Sequence, residues 1–120
     1  MMKRNFNKKE HQDWRSDLIE RDKGCIICGH GLKGLNAHHL IPANFKEFEF
    51  DIDNGVMLCP SHHTLGKFSA HKHPIWFSRW LRINRNPQYA LAIRRIREEE
   101  GLPPHIEGKL DDKPMEDIVW

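Results

Sequence analysis

The sequence predicts a small α+β domain, in which two short strands and a short helix form the centre and longer helices flank them. The length of 120 residues fits one domain. Helical spacing of large apolar residues occurs near both ends of the chain, from Trp14 to Leu18 and from Trp76 to Trp80. Two short apolar stretches between these helices have the length of strands.

The N-terminal part predicts an arm followed by a helix. Residues 3–10 are polar and basic, which favours a loosely held arm. A helical pattern covers residues 8–23, with Asn7 as the cap and Glu10 three residues later, as in a capping box. Gly24 is a suitable end for this helix.

A Cys-x-x-Cys pair and a Cys-x-x-His pair predict a closed zinc site. Two thiolates so close in sequence reach one metal only where the backbone turns tightly, which flanking glycines permit. Thirty residues separate the pairs, enough for a hairpin to join them. A structural zinc contributes on the order of 10 kcal/mol to folding at neutral pH. The predicted ligands are Cys25, Cys28, Cys59 and His62. His30 is an alternative fourth ligand, and a redox dithiol is an alternative role for the first pair.

The segment between the two pairs predicts the order strand, loop, strand, helix. The first strand covers residues 35–41 and ends at Pro42. Residues 43–53 form a loop, and the second strand covers residues 56–58. Pro60 then occupies the first turn of a helix that contains the second histidine pair.

Two adjacent histidine pairs, His38-His39 and His62-His63, predict two separate sites. Neighbouring residues on a strand point to opposite faces, so His38 and His39 have different roles. Neighbouring residues on a helix differ by about 100° in direction. If His62 completes the zinc site, His63 therefore points towards a second one.

The charge pattern suggests an anionic polymer as partner. Residues 63–97 carry eight basic side chains and no acidic one, and residues 98–120 carry a net −6. The alternative is an ordinary solvated helix face. Two helices are predicted in the basic part, one from Pro74 to Ile83 and one that restarts at Asn86-Pro87. The candidate phosphate contacts are Lys67, Lys72, Arg79, Arg82 and Arg85.

Composition indicates a cytoplasmic protein without a membrane span. No run of about 18 apolar residues occurs, and the N-terminus lacks an apolar signal region. Three cysteines are an odd number, which suits metal binding in a reducing compartment better than a disulfide framework.

Residues 24–68 resemble the HNH endonuclease family. The resemblance rests on four short motifs in order, CIIC, AHHLIP, DNGVMLC and PSHH. It implies a ββα-metal (His-Me finger) core in which His39 is the general base, and His38 and His63 bind one divalent cation. Asn54 would brace the loop opposite. His71, eight residues after His63, could assist the cation or contact phosphate, although capping or simple exposure is the other interpretation.

The resemblance implies a metal-dependent DNA endonuclease that leaves 5′-phosphate ends, with Mg²⁺, Mn²⁺ or another divalent cation as cofactor besides zinc. A non-catalytic, zinc-stabilised nucleic-acid-binding module is the alternative. No small-molecule cofactor is expected, and the sequence leaves the oligomeric state open. One domain over residues 1–120 is predicted, with a zinc knuckle and core at 24–68, a basic helical region at 69–104 and an acidic tail at 105–120.

Overall fold

Three helices surround a two-stranded sheet in the computed structural model, which describes residues 2–31 and 33–101. The α+β class is confirmed, and the order of elements is compatible with a ββα-metal core. The elements are α1 (Met2–Asp22), β1 (Asn36–His39), β2 (Gly55–Leu58), α2 (Pro74–Asn84) and α3 (Asn86–Glu100). Two 3₁₀ turns, Lys46–Phe48 and Ile52–Asn54, lie between the strands, and a π-helical turn, Ser61–Leu65, follows β2.

Helix α1 begins earlier than the sequence predicts. It starts at Met2, so the predicted arm at 3–10 is wrong and Asn7 lies inside the helix rather than capping it. No proline or glycine occurs in this stretch, so nothing in the chain stops the helix from extending towards the N-terminus. At its other end Lys23 takes a left-handed conformation, with φ 61°, one position before the predicted glycine.

The two strands pair antiparallel in a register that opposes His38 to Val56 and His39 to Gly55. Strand β1 ends at His39 instead of reaching residue 41. The Leu40 amide still donates to the backbone carbonyl of Asn54, opposite it, at 3.1 Å. The pairing stops there because the Ile41 amide donates instead to the Asn54 side chain, at Oδ1 (2.7 Å). All four residues of β2 are buried.

Helix α1 packs on β2 through Trp14 and Leu18, which are 2% and 0% exposed. The contact is close at Gly55, where a Cβ atom would lie 2.3 Å from Cζ2 of Trp14 and 2.7 Å from Cδ1 of Leu18. Any side chain at residue 55 would therefore displace the indole, and glycine lets it lie against the strand.

Asp22 ties the end of α1 to the rest of the fold. Its carboxylate is 1% exposed and accepts hydrogen bonds from the Met57 amide (3.0 Å) and from Arg21 (2.7 Å). It also pairs with Arg85, between α2 and α3, at 3.3 Å. Burial raises the pKa of Asp22, but these donors and charges outweigh it and hold the pKa below its usual value.

Helices α2 and α3 follow the predicted boundaries closely. The side chain of His73 caps α2, since its Nδ1 accepts from the Trp76 amide at 3.3 Å. Helix α3 ends at Gly101, which has φ 78° and donates to the last carbonyls of the helix. Along the described residues, no helix combines the length and the apolarity needed to cross a bilayer. The predicted acidic tail at 105–120 lies outside the described residues.

Candidate active site and metal centres

Three cysteines and one histidine converge below the sheet. The ligand atoms of Cys25, Cys28, Cys59 and His62 all lie within 4.8 Å of one another. The Sγ atoms of Cys28 and Cys59 are 3.8 Å apart, and Nδ1 of His62 lies 3.8 Å from Sγ of Cys25 and 3.3 Å from Sγ of Cys59. Thiolates bound to one zinc ion at tetrahedral angles lie about 3.8 Å apart, and a thiolate and an imidazole about 3.6 Å. The donor set and its spacing therefore fit tetrahedral zinc.

The local backbone shapes the first half of this cluster. Gly24 packs so closely that a Cβ there would meet the Gly29 carbonyl oxygen at 2.9 Å, and Gly29 has φ 75°. The amide of Cys25 closes the turn by donating to the His30 carbonyl at 3.0 Å. The His30 side chain is exposed and is not part of the cluster, whereas His62 is the fourth member of it.

Backbone donors favour the ionised form of the buried Cys25 thiol. Burial alone raises the pKa of Cys25, but hydrogen bonds from the amides of Cys59, Cys28 and Ile27 outweigh burial and lower it. A thiolate is the form that binds metal, so Cys25 is prepared for a cation. Burial and the neighbouring thiols of Cys25 and Cys59 raise the pKa of Cys28, the other cysteine of this half.

A second cluster, made only of imidazoles, lies on one face of β1. His38, His63 and His71 have ligand atoms within 4.8 Å of one another. The Nε2 atoms of His63 and His71 are 3.1 Å apart, and the ring centroid of His38 is 5.2 Å from that of His63 and 5.1 Å from that of His71. Two imidazole nitrogens on one cation at about 2.1 Å lie about 3.0–3.4 Å apart at bond angles between octahedral and tetrahedral. The cluster therefore fits one divalent cation held by three nitrogens.

The surroundings of His38 and His63 favour the neutral imidazole, which is the form that binds a metal. Burial, together with the neighbouring His63 and His71, lowers the pKa of His38 to about 3. Burial and then His71 lower the pKa of His63. Nδ1 of His63 lies 3.2 Å from Oδ1 of Asn36. Since that oxygen accepts, Nδ1 carries the proton and the lone pair on Nε2 faces His71.

His39 lies on the opposite face of the same strand, as predicted from the alternation of strand residues. Its Nε2 is 2.9 Å from the Glu49 carbonyl oxygen. A carbonyl can only accept, so Nε2 holds the proton and Nδ1 holds the free lone pair. Burial lowers the pKa of His39, and the bond to Glu49 opposes this shift only in part.

Trp14 fixes the plane of the His39 ring. The two rings are stacked, with centroids 4.3 Å apart and planes inclined by 14°. The indole is itself anchored, because its Nε1 donates to the Asp51 carbonyl at 2.8 Å. With Trp14 on one face and Glu49 at Nε2, the imidazole has a single orientation in which Nδ1 carries its lone pair.

Asn54 closes the loop between the strands, as the resemblance implies. The side chain is 1% exposed, and its Nδ2 donates to the carbonyls of Ile41 and Phe48, both at 3.0 Å. Together with the Ile41 amide bound to Oδ1, these contacts satisfy the buried amide. Asn54 therefore holds the backbone of Phe48, one residue before the Glu49 carbonyl that contacts His39.

The residues predicted to contact phosphate differ in their exposure and in the bonds that they already make within the fold. Lys67 and Lys72 are exposed, and Nζ of Lys72 donates to the Leu65 carbonyl at 3.1 Å. Arg79 and Arg82 are half-buried on α2. Arg85 is engaged within the fold through its pair with Asp22, so its role in binding phosphate stays a prediction.

Sequence reasoning did not find two residues that orient this site. Trp14 is interpreted from the sequence as core packing alone, because helical spacing shows that a residue is buried but not which ring it meets across the chain. Asn36 lies two residues before His38, so strand alternation places both on one face. The spacing of two residues between Asn36 and His38 could therefore have identified Asn36 as a residue beside the cation site.

Comparison with known proteins agrees with the geometry. A family model described as HNH endonuclease matches residues 25–67, a stretch that includes both metal clusters except His71, and also His39 and Asn54. Neither the curated proteins nor the solved structures gave a match. Residues 25–67 are therefore similar to the HNH endonuclease family, and this segment carries all but one of the clustered metal-ligand candidates.

Proposed function

We propose that this protein is a metal-dependent DNA endonuclease that hydrolyses phosphodiester bonds. The observation that carries the proposal is the arrangement about β1. A neutral His39 with its Nδ1 lone pair free lies on one face, and a cluster of three imidazoles lies on the other. Zinc binding by the knuckle requires neither feature, whereas hydrolysis needs both a base and a cation.

His39 acts as the general base in this proposal. Its Nδ1 accepts a proton from the attacking water, and the bond from Nε2 to Glu49 stabilises the imidazolium that forms. Trp14 and Asn54 act as positioning residues, since the first holds the ring plane and the second holds the loop that supplies the carbonyl.

His38, His63 and His71 would hold the divalent cation, with Asn36 fixing the tautomer of His63. When bound, such a cation polarises the phosphate and stabilises the leaving oxygen. The exposed lysines beside the cluster, Lys67 and Lys72, would bind the phosphates on either side of the cleaved bond. The Cys25, Cys28, Cys59 and His62 cluster would hold a structural zinc, because four protein donors leave no open position.

The test is plasmid cleavage by zinc-loaded protein after addition of Mg²⁺, Mn²⁺, Co²⁺ or Ni²⁺. The parent should convert supercoiled DNA with at least one cation. His39→Ala should lose about 100-fold or more in rate, as expected when a general base is removed. It should keep its zinc content and remain folded at the assay temperature. His30→Ala, an exposed histidine outside both clusters, is the matched control and should cut at the parent's rate.

Cleavage by His39→Ala at the parent's rate would overturn the assignment of the base. A parent that binds DNA but cuts with none of the cations would favour the non-catalytic binding module.

A further inference from the structure

The loop of residues 66–73, called the wedge loop below, is held in one conformation between the π-helical turn and α2. Its backbone donates back to the turn that carries His62 and His63. The bonds are Gly66 N to Ser61 O (2.8 Å), Ala70 N to His62 O (2.8 Å) and His71 N to His63 O (3.0 Å). Within the loop, Ser69 is 0% exposed. The wedge loop is therefore a fixed part of the site.

An aromatic ring projects from this fixed loop. Phe68 is 56% exposed. Its ring stacks on that of His73, with centroids 5.8 Å apart and planes inclined by 17°. The centroid of the Trp76 ring lies 5.6 Å from that of Phe68. Trp76 in turn stacks on His62, with ring centroids 6.3 Å apart. The rings of His73 and Trp76 therefore hold the orientation of Phe68, although more than half of the Phe68 surface is exposed to solvent.

Further exposed apolar side chains accompany Phe68. Leu65 is 68% exposed and Ile75 is 60% exposed, and both lie within ten residues of it. Single exposed hydrophobic residues are ordinary, but three large ones in an eleven-residue segment indicate a surface that binds a partner.

The charge of this segment indicates what kind of partner fits. Lys67 and Lys72 are exposed beside Phe68, and residues 63–97 contain no acidic side chain. A second copy of this surface would bring like charges together, which opposes self-association. An exposed aromatic ring between cations suits a nucleic-acid base, whose flat face stacks on the ring while its phosphates meet the lysines.

Phe68 also lies close to the cation cluster. It precedes His71 by three residues, so their Cα atoms are at most about 11 Å apart. That span corresponds to one or two nucleotides of a DNA strand.

We propose that Phe68 stacks on an unpaired base of the substrate strand, one or two nucleotides from the cleaved phosphodiester. This inference rests on the proposed nuclease function. It assigns a substrate class, namely single-stranded DNA or duplex with locally unpaired bases.

The test measures binding separately from cleavage. The zinc-loaded His39→Ala protein is titrated into three oligonucleotides of one sequence: a single strand, a perfect duplex and a duplex with one unpaired base. Binding is followed by fluorescence anisotropy, and 2-aminopurine at the unpaired position reports stacking. Phe68→Ala and Phe68→Trp are each placed in this background. Phe45→Ala, another partly exposed phenylalanine outside the wedge loop, is the matched control.

Phe68→Ala should bind the single strand and the unpaired site about 5- to 150-fold more weakly, the usual effect of losing one stacked base. Its affinity for the perfect duplex should change less than threefold, and the quenching of 2-aminopurine should disappear. Phe68→Trp should retain both affinity and quenching, and Phe45→Ala should match the parent. Because Phe68 is more than half exposed, neither of its substitutions should lower the melting temperature enough to unfold the protein at the assay temperature.

Equal losses on all three oligonucleotides would overturn the proposal, because they would indicate a contact that does not depend on an unpaired base. Unchanged binding by Phe68→Ala would overturn it as well. So would a dimer in sedimentation that Phe68→Ala abolishes, since the apolar surface would then serve self-association. A parent that shows the binding preference but never cuts DNA would instead contradict the nuclease function, so the two failures are distinguishable.

Discussion

Replacing Gly55 by alanine should damage both stability and catalysis, although the residue carries no functional group. Its backbone is extended, with φ −150° and ψ 155°, so alanine meets no conformational strain there. The obstacle is contact: the added Cβ would lie 2.3 Å from Cζ2 and 3.0 Å from Cε2 of Trp14. The indole must therefore move or the strand must shift.

The expected cost follows from what the indole loses. Overpacking a buried site costs about 1–3 kcal/mol. Movement of Trp14 also breaks the bond from its Nε1 to Asp51, worth about 1 kcal/mol. Gly55→Ala should thus lower the free energy of unfolding by about 2–4 kcal/mol. The stack on His39 would be lost at the same time, so the cleavage rate should fall even far below the melting temperature.

Gly31→Ala is the matched control, because no atom lies within 4 Å of its added Cβ. Urea unfolding followed by circular dichroism gives the stability of each variant, and single-turnover cleavage gives the rate. Trp14→Phe removes the colliding indole atoms and leaves only the contact with Leu18, so Gly55→Ala should cost less in that background. If Gly55→Ala melted and cut like Gly31→Ala, the contact between Gly55, Trp14 and His39 would have no role in positioning the base.

Four further predictions concern other parts of the molecule. Asp22→Asn should lower the free energy of unfolding by about 2 kcal/mol, below the usual cost of breaking a buried ion pair because its arginines reach water. Since the pKa of Asp22 is lowered in the folded protein, the difference in free energy of unfolding between the parent and Asp22→Asn should persist near neutral pH and shrink as pH falls below about 4. Urea titrations at several pH values measure it. Cys25→Ala should lose zinc and unfold at 25 °C, measured by zinc content and circular dichroism, and a folded zinc-free variant would contradict a structural role. The cleavage rate should rise with pH as His39 loses its proton and then level off, with its midpoint below pH 6.5 because burial lowers the pKa of His39; a rate still rising tenfold per pH unit at pH 8 would point to another base. The all-imidazole cation site should accept Co²⁺, Ni²⁺ or Zn²⁺ at lower concentrations than Mg²⁺, and Mg²⁺ activation at the lowest concentration would contradict this ligand set.

Sequence periodicity predicted the separation of the two sites but not what holds them. Alternation along a strand requires His38 and His39 to face opposite ways, and the structure confirms this. The partner of His39 is Trp14, 25 residues earlier on another element, and no local pattern encodes a contact at that distance. The predicted start of α1 was wrong for a related reason. A capping sequence at Asn7 is only a local preference, and the helix continues through it.

Asn54 illustrates the intermediate case. An Asp-Asn-Gly sequence predicts a turn, and Asn54 does end a 3₁₀ turn before β2. Its three side-chain hydrogen bonds to Ile41 and Phe48 depend on the path of the intervening loop. The motif thus located the residue, whereas the folded chain determines that its amide holds the loop that supplies the Glu49 carbonyl.

The π-helical turn contributes one histidine to each of the two candidate metal clusters and so connects their geometries. His62 and His63 are adjacent on it, and the His63 amide donates to the Cys59 carbonyl at 2.9 Å. A zinc ion bound by Cys59 and His62 would therefore fix the direction of His63. The wedge loop bonds back to the same turn, so the position of His71 depends on it as well. Since a catalytic cation tolerates ligand displacements of only about 0.5 Å, a rigid zinc knuckle beside a histidine cluster is a direct way to give a small chain that precision. In the proposed nuclease the knuckle would thereby serve catalysis as well as folding, because one turn of backbone connects its geometry to the cation site.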